Sequence, residues 1–121
     1  MFKFEKLDVW QKAIDLADEV YRLTRTFPVE ERFGLTSQVR RSCVSVAANI
    51  AEGSGRGTAR DFTRFVEIAF GSLMETVSHV TIAKRQGLIG EPTFQRFYSD
   101  SERLGRMLSG SRNSLRSAPD R

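Results

Sequence analysis

The chain has one cysteine, one histidine and three prolines among its 121 residues. A lone thiol, Cys43, excludes an intrachain disulfide and a cysteine-based zinc site, and it fits a reducing, cytoplasmic setting. The sole histidine, His79, stands four residues after Glu75. A di-iron bundle needs Glu-x-x-His pairs on two helices, so this single, wrongly spaced pair leaves too few ligands. No metal and no cofactor are expected. No stretch approaches the roughly 20 apolar residues that cross a bilayer, so no membrane partner is expected. The start, Met-Phe-Lys-Phe-Glu-Lys, lacks the apolar run of a signal peptide. Sustained alternation of apolar and polar residues is missing too, which argues against strands.

What is present is arginine. The formal charge is +4, with 40% apolar and 28% charged residues. Up to Phe33 the chain is nearly neutral: Lys3, Lys6, Lys12, Arg22, Arg25 and Arg32 face a matching set of carboxylates. From Gly34 to Arg64, Arg40, Arg41, Arg56, Arg60 and Arg64 stand against Glu52 and Asp61. From Glu91 onward arginine again outnumbers acid. Guanidinium groups give planar, forked contacts to phosphate, so this excess points to RNA or DNA.

The apolar period is helical throughout. Helix A is expected from Asp8, with Gln11 completing a capping box, to about Thr26. Trp10, Ala13, Ile14, Ala17, Val20, Tyr21 and Thr24 form its inner stripe, and Val9, Leu16 and Leu23 form a second line beside it. Helix B is expected over residues 35–52, with Leu35, Val39, Cys43, Val46 and Ile50 inside. Gly53, Gly55 and Gly57 are expected to end it through left-handed glycine. Helix C should follow Thr58, with Asp61 in capping-box position, and run to Gln86. Phe62, Phe65, Val66, Ala69, Leu73, Val80 and Ala83 form its main stripe, widened by Phe70, Met74 and Val77. Helix D should follow Gly90, tolerate Pro92 in its first turn, and bury Phe94, Phe97, Tyr98, Leu104, Leu108 and Leu115. The fold class is therefore all-α: an antiparallel up-and-down four-helix bundle over residues 1–110, with a flexible polar tail over 111–121. The extra apolar width on A and C must meet something. Val9, Leu16, Leu23, Phe70, Met74 and Val77 are therefore assigned to an oligomer interface.

The segment Ala-Glu-Gly-Ser-Gly-Arg-Gly-Thr-Ala-Arg-Asp joins helices B and C. Arg56, Arg60 and Arg64 gather there, at a helix N-terminus whose N–H groups favour anions. It is not a P-loop: no Walker lysine follows the last glycine, and a helix rather than a strand precedes it. Arg40 and Arg41 fall on opposite flanks of the inner face of helix B, where one is free to reach nucleic acid while the other pairs within the assembly. Glu52 and Glu75 are candidate partners, and an inter-helix or inter-subunit ion pair is the favoured reading over nucleic-acid contact. Asn49 and Glu52 read as structural polar groups near the end of helix B, and Glu75 joins them. His79 reads as an edge residue with no carboxylate or thiol assigned to it. The aromatic residues at helical spacing read as core rather than as base-stacking platforms. No nucleophile or acid–base pair accompanies these groups, so no enzyme is expected.

Several segments together resemble a known family. They are Leu7-Asp8-Val9-Trp10-Gln11-Lys12-Ala13, Tyr21-Arg22-Leu23-Thr24, Phe27-Pro28, the run from Glu30 to Gln38, Arg40-Arg41, Ala48-Asn49-Ile50-Ala51-Glu52-Gly53 and Gly71-Ser72-Leu73-Met74-Glu75. In this order they resemble the bacterial 23S rRNA intervening-sequence family, the S23-like four-helix-bundle proteins. The resemblance implies a bundle assembling as a ring-like homopentamer. A related branch, the accessory variability determinant of diversity-generating retroelements, binds nucleic acid and partners a reverse transcriptase. For this chain the resemblance implies either a nucleic-acid-binding oligomer or a protein–protein adaptor without direct nucleic-acid binding. Gly90-Glu91-Pro92 and the Ser/Arg-rich tail depart from the family pattern.

Overall fold

A computed structural model describes residues 1–119. Four α-helices follow a short 3-10 turn at Lys3–Lys6: α1 (Asp8–Thr24), α2 (Leu35–Ser54), α3 (Ala59–Arg85) and α4 (Glu91–Arg116). No strand occurs among the described residues. A second 3-10 turn, Val29–Glu31, lies between α1 and α2. Each helix packs on its neighbours in the chain, and α1 closes on α4.

Contacts set the direction of the helices. Along α2 and α3 they pass from Gly53 against Phe65, through Ser45 with Ser72, to Ser42 with Thr76. Numbers fall in one helix as they rise in the other, so the pair is antiparallel. Lys84 with Glu91 and Glu67 with Arg116 give the same sense for α3 and α4. The turn between α2 and α3, the N-terminus and the end of α4 thus share one end of the bundle, where Lys3, Arg56 and Leu115 line one hollow.

The core takes the expected stripes. Ala13, Val20, Val39, Val46, Ile50, Val66, Leu73, Phe97 and Leu108 are fully or almost fully buried. Each large apolar side chain so buried stabilises the fold by about 1.5–3 kcal/mol. A polar seam crosses α2 and α3 within it. The Thr76 hydroxyl lies 2.8 Å from the Ser72 carbonyl and 2.9 Å from the Ser42 hydroxyl. Ser45 and Ser72 hydroxyls meet at 2.9 Å. These small side chains satisfy one another and let the two backbones approach.

Gly53 marks the tightest point. A Cβ built there would lie 2.7 Å from Phe65 Cβ and 2.8 Å from Phe62 Cδ1. This corrects the expected role of the glycines. Helix α2 runs through Gly53 to Ser54, Gly55 keeps right-handed geometry (φ −86°), and among the described residues the one positive-φ glycine is Gly87, after α3. Gly53 is small because α3 is close, not because the helix ends there.

Other boundaries shift as well. Helix α1 starts at Asp8 with Leu7 as its cap residue and no side-chain cap bond. The Gln11 amide instead donates to the Glu5 carbonyl at 2.9 Å. At α3 the expected cap is present: Thr58 Oγ1 accepts from the Asp61 N–H at 3.1 Å. Helix α4 continues to Arg116, past the boundary placed at residue 110. Residues 120 and 121 of the expected tail lie outside the described residues. Tyr21 and Tyr98 are exposed rather than inward-facing.

Candidate functional site

The start of α3 gathers cations from four parts of the chain. A hollow of about 810 Å³ is lined by Thr58, Arg60, Thr63, Arg64, Glu67 and Arg116. A smaller one, about 200 Å³, is lined by Lys3, Arg56, Thr58 and Phe62. Both reach Thr58 and Leu115, so they adjoin. Arg56, Arg60 and Arg64 thus come together as expected, and all three are exposed.

Phe65 meets two of these guanidinium groups. Its ring lies 4.6 Å below the Arg56 guanidinium and 5.3 Å from that of Arg64, while Phe65 itself is buried. Such cation–π contacts hold each guanidinium in place without consuming its hydrogen-bond donors. Three acids stand at the site, and Asp61, like Glu67, lines the larger hollow. Glu52 accepts from Arg56 at 3.1 Å, and Glu67 accepts from Arg116 at 2.8 Å. Both pairs are solvent-exposed, and such pairs hold their partners weakly.

Lys3 and Arg116 join the site although the sequence did not nominate them. Arg116 was assigned to the tail, yet Leu115 stands seven residues after Leu108 and carries the helical period across it. Lys3 belongs to a segment of nearly neutral charge, and nothing local ties it to residue 56.

Arg40 and Arg41 do not join the site. Arg41, the nearer of the two, lies thirteen residues before the end of α2 at Ser54, about 20 Å along the helix at 1.5 Å per residue. Arg40 is half-buried: its Nε donates to Thr24 Oγ1 at 2.8 Å, and its guanidinium sits 4.6 Å above the Tyr21 ring. Helix α1 therefore holds it, rather than Glu52 or Glu75. Arg41 is exposed and makes no ion pair among the described residues.

The other nominated polar groups have local partners. Glu75 lies 3.3 Å from His79 Nε2, so the histidine does have a sequence-local carboxylate. Asn49 donates to the Ser45 carbonyl at 2.8 Å, inside α2 rather than at its end. Cys43 is buried, and burial pushes its thiol up from 9.0 to about 11, so it is a poor nucleophile. Lys84 and Gln95, hydrogen-bonded to Glu91, hold that carboxyl below its usual range. Among the described residues no group of three or more His, Cys, Asp or Glu could hold a metal ion. No helix among them is long and apolar enough to cross a membrane.

The nominated interface residues divide. Val9 and Leu16 are only 8% and 6% exposed, covered by the chain's own helices, which removes them from an outer surface. They widen the helix A stripe because the core of a single chain needs that width. Leu23 is half-buried against the same core. Phe70, Met74 and Val77 instead line a groove of about 620 Å³ between α3 and α4, opposite Ser101, Gly105 and Arg106. The Ser101 hydroxyl is buried and has no hydrogen-bond partner among the described residues.

Comparison with known proteins agrees with this architecture. A crystal structure of a protein with unknown function from the S23 ribosomal protein family of Bacteroides thetaiotaomicron superposes with a TM-score of 0.79 at 24% identity. The match covers 86% of this chain and 97% of that one, and at this identity it speaks for the fold. No curated protein matches the chain. The family model described as 23S rRNA-intervening sequence protein matches residues 5–110. With that match spanning most of its length, the chain belongs to the 23S rRNA-intervening sequence protein family.

Proposed function

We propose that this chain is a non-enzymatic, oligomeric protein that binds RNA or DNA through the basic end of the bundle. The observation that carries this reading is the convergence of Lys3, Arg56, Arg60, Arg64 and Arg116 around two adjoining hollows at the start of α3. Phe65 orients two of these guanidinium groups before any ligand arrives, which lowers the ordering cost of contact. One such patch makes few phosphate contacts and binds weakly. Several copies in a ring present several patches to one strand, and linked sites raise affinity without new contacts. The α3–α4 groove supports association, since it leaves Met74 exposed and Phe70 and Val77 half-buried beside a Ser101 hydroxyl with no hydrogen-bond partner among the described residues. A homopentamer is the assembly that the family resemblance favours.

The test is fluorescence anisotropy with labelled RNA and DNA over 50–400 mM salt. Binding that is tolerant of sequence and falls steeply with salt supports the reading. The double variant Arg56→Glu/Arg64→Glu should abolish it. Salt-independent binding, or undiminished binding by that variant, refutes it. The same groove favours a second reading, a protein–protein adaptor for a nucleic-acid enzyme such as a reverse transcriptase. A complex that survives nuclease treatment and is lost on Met74→Glu would favour the adaptor.

A further inference from the structure

We infer that the basic end takes single-stranded nucleic acid, with one unpaired base stacked on Phe2. This rests on the nucleic-acid reading above and narrows it to a strand class. Phe2 is 74% exposed, although it is large and apolar. It is not a loose end. Its N–H donates to Glu5 Oε1 at 2.8 Å, and its carbonyl accepts from the Glu5 N–H at 3.2 Å.

Its ring lies parallel to that of Phe4, with centroids 6.1 Å apart and planes 4° from parallel. Phe4 in turn meets Trp10 edge-on at 4.9 Å, and Trp10 packs against the core. Three rings therefore step outward from the bundle, and the last one offers its surface to solvent. A surface aromatic held this firmly suits a flat partner.

The next residue, Lys3, shares a hollow with Arg56 and Thr58, and that hollow adjoins the one lined by Arg60, Arg64 and Arg116. Phe2 precedes Lys3 in the chain, so its exposed ring stands at the same end of the bundle as these cations. Cations for a backbone, with an exposed aromatic ring for a base, are the two parts of a single-strand site. A duplex keeps its bases stacked on one another and can use the cations but not the ring. The Phe2 ring thus separates the two kinds of ligand where the arginines do not.

The test compares the full chain and its Phe2→Ala and Phe2→Tyr variants on three labelled probes at one salt concentration. These are an oligo-dT of 20 nucleotides, an oligo-U of 20 nucleotides and a 20-base-pair DNA duplex. Stacking of one base predicts that Phe2→Ala weakens binding of both single strands by about 5- to 100-fold. Duplex binding should stay within about twofold, and Phe2→Tyr should keep single-strand binding near that of the parent. A loss confined to one single strand would assign the ring to RNA or DNA alone and would still support stacking. Equal losses on strand and duplex, or no loss on either, would overturn the inference. If Phe2→Ala is neutral while Arg56→Glu/Arg64→Glu abolishes binding, stacking fails and the nucleic-acid reading stands. If the parent binds none of the probes, both fail. Thermal unfolding of the variants near that of the parent confirms that the 3-10 turn, not the bundle, was changed.

Discussion

Adding one methyl group at Gly53 tests the close approach of α2 and α3 on which the basic end is built. The new Cβ in Gly53→Ala would sit 2.7 Å from Phe65 Cβ, against the 3.5–4.0 Å of ordinary carbon contact. Phe65 Cβ is bound directly to the α3 backbone, so no rotamer change relieves the clash. The helices must part by about 0.8 Å to reach 3.5 Å. Overpacking of this kind costs about 1–3 kcal/mol. The better helix propensity of alanine returns about 1 kcal/mol at most. The net loss is about 1–2 kcal/mol, toward the upper part of the range because the obstacle is anchored. At about 2.1 cal/mol/K per residue, the 121-residue chain has an unfolding entropy near 0.25 kcal/mol/K, which gives a fall in Tm of about 4–8 °C. Gly71→Ala is the control. Gly71 lies within α3 with nothing within 4 Å of the added carbon, so the same substitution should raise Tm by about 2–4 °C. Circular-dichroism melts at one protein concentration read both signs. A Gly53→Ala protein as stable as the parent would refute the packing argument.

Glu52→Gln releases Arg56 from its carboxylate partner. It should leave Tm nearly unchanged, while the slope of log affinity against log salt steepens by up to about 0.9 in anisotropy titrations. The raised Cys43 pKa has a defined linkage sign. The folded thiol holds its proton more tightly than the unfolded one, so its contribution to stability is complete below pH 9 and is lost as pH rises from 9.0 toward about 11. Denaturant unfolding should show Cys43→Ala with a flatter alkaline limb than the parent, and below pH 9 the buried native thiol should react with a disulfide reagent more slowly than the unfolded one. Glu91 gives the opposite case. Its depressed pKa stabilises the fold above the usual carboxylate range and ceases to do so as pH falls through it, so Glu91→Gln should flatten the acid limb of the same measurement.

The bundle was legible because its signals are local. Thr58 and Asp61 stand three apart and close a cap together, and the stripe from Phe65 to Ala83 follows one helical period into the core. Features that depend on a second helix were not. Gly53 looks like a helix terminator until Phe62 and Phe65 are placed against it. Arg40 looks like a surface cation until Thr24, sixteen residues away, accepts its hydrogen bond. Val9 and Leu16 looked surplus because a single helix does not reveal how far its neighbours wrap around it. The site shows the same division. Arg56, Arg60 and Arg64 are grouped by sequence spacing. Lys3 and Arg116 arrive from the two ends of the chain, by folding alone.

Light scattering coupled to size exclusion, with and without a mixed pool of RNA and DNA, bears most directly on the claim that gathered copies bind nucleic acid through their basic ends. The account predicts a particle whose protein mass is a multiple of 13.7 kDa, which takes up nucleic acid at low salt and releases it at high salt. A 13.7 kDa species that elutes unchanged by the pool would contradict it.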